Sequence, residues 1–500
     1  MAVNTLAPTG YDADIIRQLG RLRTNLDDVS RQMSTGEKAS TYGGLGDDRV
    51  VALAFQDQLA DVKSYQQTIS VMGTRFSAIT NTLSQIDTVR TESRSGLDEN
   101  RFDLLSDGTT AQQRQSKLEA ISLIGLLNTD VAGRYMFAGK QVDKAPVADF
   151  DTIMNGANGA AGYLQVSNER RQADVGDGHG RLTLSSVAAT ATIAEDGTHP
   201  FGFKLNSVTS SLANASVTGP TGTPPSVAVA FTGQPNANDT ISLTLTLPDG
   251  TSSIVKLTAG KANDPTLGTF AVGTTPQEAS DNLNSVLDQT IQTLAKTDLT
   301  AASAVKSAND FFNTYQGQAP QRVVGPPFDT ATTTQNGTAT DTIAWYTGDQ
   351  TATAPRNDLT AQVDGSVSVG YGLRANEEAF RSVLANLAAT QAVNVSGNTA
   401  TDKALHAALV SRVRGNLGQP DGHQSIQSVQ MEIASSNKAM SMAADRHKAT
   451  SGTYQELLDG TLGIDQNAVA TQLLSLQTRM QASYQATSIL YKLSLTNYLG

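Results

Sequence analysis

Two stripes of large apolar side chains, one near each end of the chain, constrain the fold more than any other feature. Near the start, apolar residues recur in steps of three and four, the spacing of one face of an α-helix. The first stripe consists of Tyr11, Ile15, Leu19, Leu22, Leu26 and Val29, followed by Met33. Near the end, a second stripe recurs about every 3.6 residues and is interrupted only by Thr487. The second stripe consists of Leu473, Leu476, Met480, Tyr484, Tyr491, Leu495 and Tyr498.

Both stripes predict amphipathic terminal helices that need a partner. The second helix is predicted over Asp465 to Leu499, because Asp465 can cap its first turn and no Pro or Gly interrupts it. A terminal helix with so wide an apolar stripe stays ordered only when that face is docked. The two ends are therefore predicted to be complementary helices, which favours a helical stem from which the middle of the chain projects.

Two longer heptad patterns lie between the two terminal helices in the sequence. Apolar residues are spaced by seven from Phe55 to Leu83, and a second heptad series runs from Tyr65 to Ile86. This a/d pattern predicts a long coiled-coil helix that continues to about Arg94. A second coil-forming helix is predicted to end near Gly460. Its heptad series is Ile426, Ile433, Met440, His447 and Tyr454, supported by Val429 and Leu457.

Shorter helices and one loop complete the helical parts. The Gly- and Ser-rich stretch from Ser34 to Arg49 is predicted to be a loop. Further helices are predicted from about Thr110 to Tyr135, from Ala375 to Thr390 and from about Thr401 to Asn416. The stripe of the first of these is Leu118, Ile121, Ile124, Leu127 and Val131. The order of helices is thus close to a palindrome.

Strand patterns replace helical ones between these parts. The clearest is a predicted hairpin from Ile241 to Leu257, in which apolar and small polar residues alternate around a turn at Pro248-Asp249-Gly250. One helix is predicted within this region, from Thr275 to about Ala295, with Thr275 and Glu278 as a capping box. We expect a mainly α fold in three segments: a helical half over 1–145, an inserted β-rich α+β outer domain or pair of domains over 146–372, and a helical half over 373–500.

Composition excludes several classes of function. The net charge of −11 disfavours nucleic-acid binding, which requires a concentrated Lys and Arg surface. The chain has no cysteine, which rules out disulfides, thiolate metal sites and a cysteine nucleophile. The sequence contains no run of about 18 apolar residues, so no membrane span is predicted. The first residues do not form a secretory signal, so any export is expected to use a route that does not read one.

Two stretches resemble the flagellin superfamily. QMSTGEKASTYGGLGDDRVVALAFQDQL resembles that family's turn after the first helix, and LLSLQTRMQASYQATSILYKLSLTNYL resembles its C-terminal helix. The residues that carry the match in the turn are Ser34, Thr35, Gly36, Lys38, Asp47 and Asp48. The insertion from Tyr42 to Gly46 is longer than the family's usual turn. The segment from Ile86 to Gly96 matches only loosely the region that immune receptors read in many flagellins, so receptor recognition is not carried over.

The resemblance, which covers about residues 1–150 and 370–500, implies a fold and a function. The implied fold is a flagellin-like antiparallel coiled-coil stem formed by the N- and C-terminal helices. The implied function is that of a secreted structural subunit of the extracellular flagellum, exported unfolded by the type III apparatus and polymerising through its terminal helices. Its partners would be further copies of itself, other flagellar axial proteins and an export chaperone, with no cofactor, no nucleic acid and no membrane insertion.

Two branches of the family are alternatives. AGRYMFAGKQVDKAPV, at 132–147, and the ending LSLTNYLG resemble the hook-associated protein 3 branch, which forms the junction between hook and filament. The main filament flagellin is the alternative. From a different class, a secreted adhesin or hydrolase carried on a helical stalk is the third reading.

No catalytic, cofactor-binding or metal-binding residues are predicted. The five histidines lack metal-ligand spacing, and no Walker A, GxSxG or GxGxxG motif with the required context is present. GGLGDD is a single copy of a calcium-type repeat that works only in stacks, which favours an ordinary turn. His447 is expected to be a polar seam residue, and Trp345 the anchor of a small core. The candidate functional residues are the two terminal stripes, acting in self-assembly or packing within one subunit, while the two long heptad helices pair with each other.

Overall fold

The fold is mainly α, as the sequence predicts, with helical residues making up about 52% of the chain. A computed structural model describes the backbone of residues 10–499 and the side chains of residues 13–490 and 492. The α-helices are α1 (Gly10–Thr35), α2 (Asp48–Gly96), α3 (Ala111–Leu127), α4 (Phe150–Asn155), α5 (Tyr163–Val175), α6 (Pro276–Leu294), α7 (Thr300–Phe312), α8 (Glu378–Ala389), α9 (Ala400–Asn416), α10 (Ile426–Leu462) and α11 (Gln466–Leu499).

The strands of the described residues all lie between α3 and α8. They are β1 (Asp130–Val131), β2 (Arg134–Tyr135), β3 (Gly156–Ala157), β4 (Ala160–Ala161), β5 (Leu182–Val187), β6 (Thr190–Glu195), β7 (Lys204–Ser210), β8 (Ala215–Thr221), β9 (Ser226–Phe231), β10 (Thr240–Thr246), β11 (Ser252–Gly260), β12 (Thr269–Ala271), β13 (Gln321–Val323), β14 (Thr334–Asn336), β15 (Thr360–Gln362) and β16 (Ser368–Gly370).

The chain divides into two compact units. The first unit consists of Met1–Val71, Gln362–Ser368 and Ala439–Gly500, and the second of Met72–Ala361 and Val369–Lys438. This division does not follow the boundaries at 145 and 373 that the sequence suggests. The reason is packing, because α3 contacts α8, and both α8 and α9 contact α7 within the second unit.

Two four-stranded sheets and α6 share one core in the second unit. The first sheet has the order β5-β6-β9-β8 and the second has the order β12-β11-β10-β7. The predicted hairpin is confirmed, because β10 and β11 pair antiparallel with Ile241 opposite Leu257. The predicted helix is also confirmed as α6, since the side chain of Thr275 accepts a hydrogen bond from the Glu278 N–H. In a capping box the Glu278 carboxylate would accept a hydrogen bond from the Thr275 N–H. Here it accepts one from the Thr274 N–H instead.

A buried helix that the sequence does not predict lies beside this core. A π-helical turn at Ala295–Leu299 connects α6 to α7. Most residues of α7 are buried, and its many Ala and Ser side chains let α5, α8 and α9 approach closely. Trp345 is fully buried and packs edge-on against Phe312, which confirms its role as a core anchor.

Helix α3 is shorter than predicted, and only part of its predicted stripe is buried. It ends at Leu127, and the segment to Tyr135 forms the β1–β2 hairpin. Leu118 and Ile121 of the predicted stripe are exposed. The buried apolar residues are Ala120, Leu123, Ile124 and Leu127. Apolar side chains occur on more than one face of this helix, so their spacing alone does not identify the packed face.

The predicted heptad faces of α2 and α10 are buried within the second unit. Phe76 and Leu83 of α2 and Ile433 of α10 are almost completely inaccessible. The Gln427 side chain of α10 donates to both carboxylate oxygens of Asp87 at 3.1 Å, which ties the start of α10 to the end of α2. The two predicted coil-forming helices are therefore in contact in this unit.

One ion pair is enclosed in the second unit. Neither the Arg374 nor the Asp358 side chain is accessible to solvent. The guanidinium donates from Nε to Asp358 Oδ2 at 2.5 Å and from Nη2 to Oδ1 at 2.7 Å. Its Nη1 donates to the Thr351 carbonyl at 2.6 Å, so the buried charge is satisfied on several sides.

Candidate self-assembly surface

Helices α1 and α11 pack against each other in the first unit. Val29, Val469 and Leu476 are buried in their seam. The half-buried residues around it are Leu22, Leu26, Ile464 and Leu473. The end of α1 lies beside the start of α11. Leu22, which is earlier in α1, belongs to the same apolar cluster as Leu476, which is later in α11. The two helices therefore run antiparallel. Among the described side chains, this seam encloses only a few on each helix.

A short backbone joint closes the open end of this pair. The Ile464 N–H donates to the Gly36 carbonyl at 3.1 Å, and the Lys38 N–H donates to the Leu462 carbonyl at 2.8 Å. Gly36 has a φ of +73°, a conformation that favours glycine and ends α1. The Lys38 ammonium lies 2.9 Å from the Asp48 carboxylate at the start of α2. Several residues of the family-like turn thus act in joining the two ends.

The start of α11 is capped as predicted. Asp465 Oδ1 accepts hydrogen bonds from the Asn467 N–H at 2.9 Å and the Ala468 N–H at 3.1 Å. These are two of the backbone donors that have no partner inside the helix. The carboxylate also lies at the positive end of the helix dipole, where a negative charge stabilises the helix.

The predicted stripe residues fall mostly on the seam. Val29 and Leu476 are buried, whereas Tyr484 is exposed because Ser483 takes the inward position beside it. The half-buried members are Ile15, Leu19, Leu22, Leu26, Leu473 and Met480. The side chains of Tyr11, Tyr491, Leu495 and Tyr498 lie outside the described residues. The two stripes thus pack on each other within the chain, one of the two roles expected of them, because their periodicities match.

Helix α11 also exposes large apolar side chains beyond this seam. It has 34 residues, of which only Arg479 and Lys492 are charged. Leu474 is 64% exposed and Ile489 is 58% exposed. At about 100° per residue, these two lie on the side opposite the seam, whereas Tyr484 and Leu490 flank it. Large apolar side chains that stay exposed on a helix whose inner face is already covered mark a surface for a further contact.

The outer face of α1 has the opposite character. Asp14, Arg17 and Asp28 are exposed there, and Arg17 Nη2 lies 2.5 Å from the Asp14 carboxylate. Ile16 is the large apolar exception on this surface. The apolar excess of the helix pair is therefore concentrated on α11.

No protein-family model matches this chain, and no curated protein matches it.

Aromatic rings line the seam between α2 and α10 in the first unit. Phe55 lies 6.0 Å from Tyr454, and Tyr65 stacks on His447 at 5.3 Å, both measured between ring centroids. His447 Nε2 lies 2.6 Å from the Val363 carbonyl oxygen. His447 is buried with both of these contacts, which confirms it as a polar residue of the seam.

Near the end of α10 the inward position is taken by Leu458, and the expected Leu457 is exposed. An α-helix drifts by about 20° per heptad from a strict repeat, which accounts for this shift.

The described residues show neither a metal-binding cluster nor a membrane-spanning helix. They contain no group of three or more His, Asp or Glu side chains arranged to hold a metal ion. None of the described helices combines the length and the hydropathy of a membrane span.

The exposed residues Leu474, Ile489 and Leu490 are absent from the predicted stripes. The near-absence of charge along α11, visible in the sequence, is the signal that could have identified them.

Proposed function

We propose that this chain is a structural subunit of the bacterial flagellum, of the flagellin and hook-associated protein family, that polymerises through its terminal helices. Its position would be the junction between hook and filament, with the main filament flagellin as the alternative. The α1–α11 and α2–α10 pairs would belong to an antiparallel coiled-coil stem, and the β-rich part would face outward. The subunit would work outside the cell as a structural component, without catalysis and without a cofactor.

The exposed large apolar side chains of α11 are the observation that carries this proposal. One face of α11 is covered by α1, yet Leu474 and Ile489 remain exposed on the other side. Complete burial of one such side chain is worth about 1.5–3 kcal/mol. A helix with two charges in 34 residues gains this energy only by contacting further apolar surface. Copies of the same chain offer that surface in a repeating arrangement.

The assignment to the junction rests on the two stretches that resemble that branch. The segment 132–147 contains the Tyr-Met-Phe-Ala-Gly run, and it forms part of the core of the second unit, where Phe137 packs edge-on against Phe380. Neighbours in the flagellum would be other axial proteins on either side of the ring. A chaperone would cover the terminal helices before export, because exposed apolar helices otherwise associate prematurely.

Immunogold microscopy of intact flagellated cells tests this proposal. The antibody is raised against the β-rich segment 182–271, which belongs to the second unit. A short labelled ring between hook and filament is expected. Labelling along the whole filament would identify a filament flagellin instead. Absence of label from flagella, with the protein detected elsewhere on the cells, would refute the family assignment and favour the stalked adhesin or hydrolase.

A further inference from the structure

A polar cleft of about 780 Å³ lies in the second unit. Helices α7, α8 and α9 contribute to its walls, together with the turn that precedes β11. Clefts of about 300–1,000 Å³ are the size that small organic ligands occupy. The cleft is therefore large enough for one or a few sugar rings, and its lining decides which chemistry fits.

Most charges on the lining are already matched by neighbours. Arg412 lies 3.0 Å from Asp249 and 3.3 Å from Asp298, measured between the guanidinium nitrogens and the carboxylate oxygens. His423 Nδ1 lies 2.7 Å from Glu378 Oε1. These carboxylates therefore have a basic group beside them, and the cleft is not a simple acidic surface.

Arg381 is the exception on this lining. Among the described residues, no carboxylate oxygen lies within 4.0 Å of its guanidinium and no protein group accepts a hydrogen bond from it. Its Nε is completely enclosed, without a partner. Burial lowers the pKa of the Arg381 guanidinium, whereas the Glu378 charge acts in the opposite direction. An arginine nevertheless stays protonated near neutral pH, so the cleft contains a partly desolvated positive charge without a counter-ion.

The local backbone adds to this positive potential. Arg381 lies in the first turn of α8, at the positive end of the helix dipole. A basic side chain is unfavourable at this end of a helix, and the cost rises when the charge is also desolvated. An anion that enters the cleft would relieve both costs. The planar guanidinium matches a carboxylate, with which it can form two parallel hydrogen bonds.

Several other polar groups on the lining are unused. Asn309, Ser382 and Ser411 make no side-chain hydrogen bond among the described residues. The Asn416 amide donates to Asn386 Oδ1 at 3.0 Å and keeps its own carbonyl oxygen available. Such amides and hydroxyls suit a ligand with many hydroxyl groups. An acidic peptide fits less well, because the apolar lining residues Val305 and Phe312 are buried and offer little surface for its side chains.

We propose that this cleft binds a carboxylate-bearing sugar, such as a uronic acid residue of an acidic polysaccharide. Arg381 holds the carboxylate, and the unused amides and hydroxyls bind the sugar hydroxyls. This activity is a ligand-binding function of the second unit and does not depend on the proposed assembly through α1 and α11.

Isothermal titration of the full-length protein with trigalacturonate, at low ionic strength, tests this proposal. Wild type is expected to bind with one site per chain. Arg381→Gln is expected to weaken binding by about 10- to 100-fold, the range for loss of hydrogen bonds to a charged group. Lys261→Gln is the matched control, because it removes one positive charge from an exposed position outside the cleft and should leave the affinity unchanged. Arg381→Lys keeps the charge without the planar fork and should bind with intermediate affinity.

Three results would overturn the inference. The first is absence of binding to wild type. The second is equal affinity of wild type and Arg381→Gln, with both shown to be folded by their melting temperatures. The third is binding of neutral galactotriose or of triglutamate as tight as that of trigalacturonate. If Arg381→Gln does not fold, the comparison of wild type with Arg381→Lys decides, and equal affinity of these two refutes the role of the planar fork.

Discussion

Two leucines only two positions apart on α11 distinguish contacts between subunits from contacts within one subunit. Leu474 is 64% exposed on the side opposite the seam, whereas Leu476 is 8% exposed within it. The same change to alanine at both positions removes the same atoms from two different environments. We expect Leu474→Ala to weaken assembly alone, and Leu476→Ala to weaken the α1–α11 pair first.

The structure sets the size of both effects. Burial of a complete leucine side chain stabilises a contact by about 1.5–3 kcal/mol. If assembly buries the exposed 64% of Leu474, this side chain contributes about 1–2 kcal/mol to the free energy of assembly. This raises the critical concentration for polymerisation by about 5- to 30-fold. A buried Leu→Ala change costs about 2–5 kcal/mol, and the thin seam around Leu476 favours the lower end of that range.

Sedimentation across a protein concentration series measures the critical concentration, and amide hydrogen exchange of the monomer measures the protection of α1 and α11. Leu474→Ala should raise the critical concentration and leave the protection unchanged. Leu476→Ala should lower the protection in both helices, and assembly should weaken as a consequence. An unchanged critical concentration in Leu474→Ala would show that the outer face of α11 makes no contact in the polymer, which would refute self-assembly through this face.

Three further predictions concern the ends of the chain and the second unit. Removal of residues 486–500 should prevent polymerisation without changing the unfolding of the second unit, and truncated chains that still form tubes would contradict this. Asp358→Asn should destabilise the second unit by about 3 kcal/mol in urea unfolding, the lower end for breaking a buried ion pair, because buried Arg374 then keeps only the Asp349 carboxylate, at 3.6 Å. Asp103→Asn, which breaks an exposed pair with Arg101, should cost at most about 1 kcal/mol. Burial raises the pKa of Tyr163 to about 12, so its neutral form is favoured by folding, and the free energy of unfolding should fall between about pH 10 and 12. Tyr163→Phe should lessen this alkaline loss in unfolding curves, and an identical pH dependence in both proteins would refute the assignment.

Local sequence patterns predict the helices and hairpins well because each depends on near neighbours. The cap at Asp465, the stripe from Ile15 to Val29 and the hairpin from Ile241 to Leu257 all follow from spacing and turn chemistry. Helix α7 is different, because its small side chains give no clear stripe and its stability comes from helices distant in sequence. The same applies to the unit boundary, which depends on how α3, α8 and α9 pack and not on composition.

The candidate surface could be predicted only in part. Periodicity identifies the inner faces of α1 and α11, but it does not show that they cover each other and leave Leu474 exposed. The sequence does not single out Arg381. It follows Glu377 and Glu378 by four and three residues, a helical spacing that normally indicates an exposed ion pair. The missing ion pair becomes visible only when the side-chain distances are known.

The backbone joint at Gly36 and Lys38 also determines the order in which the chain can fold. Its partners, Leu462 and Ile464, lie beyond every residue of the second unit in the sequence. During synthesis, α1 is made first but cannot gain its seam until α11 has been added. The second unit has all of its segments by Lys438 and can fold earlier. Contacts so distant in sequence form slowly, because closing a long loop is entropically costly. The first helix of the chain therefore remains accessible to other binding partners for longer than any other described element.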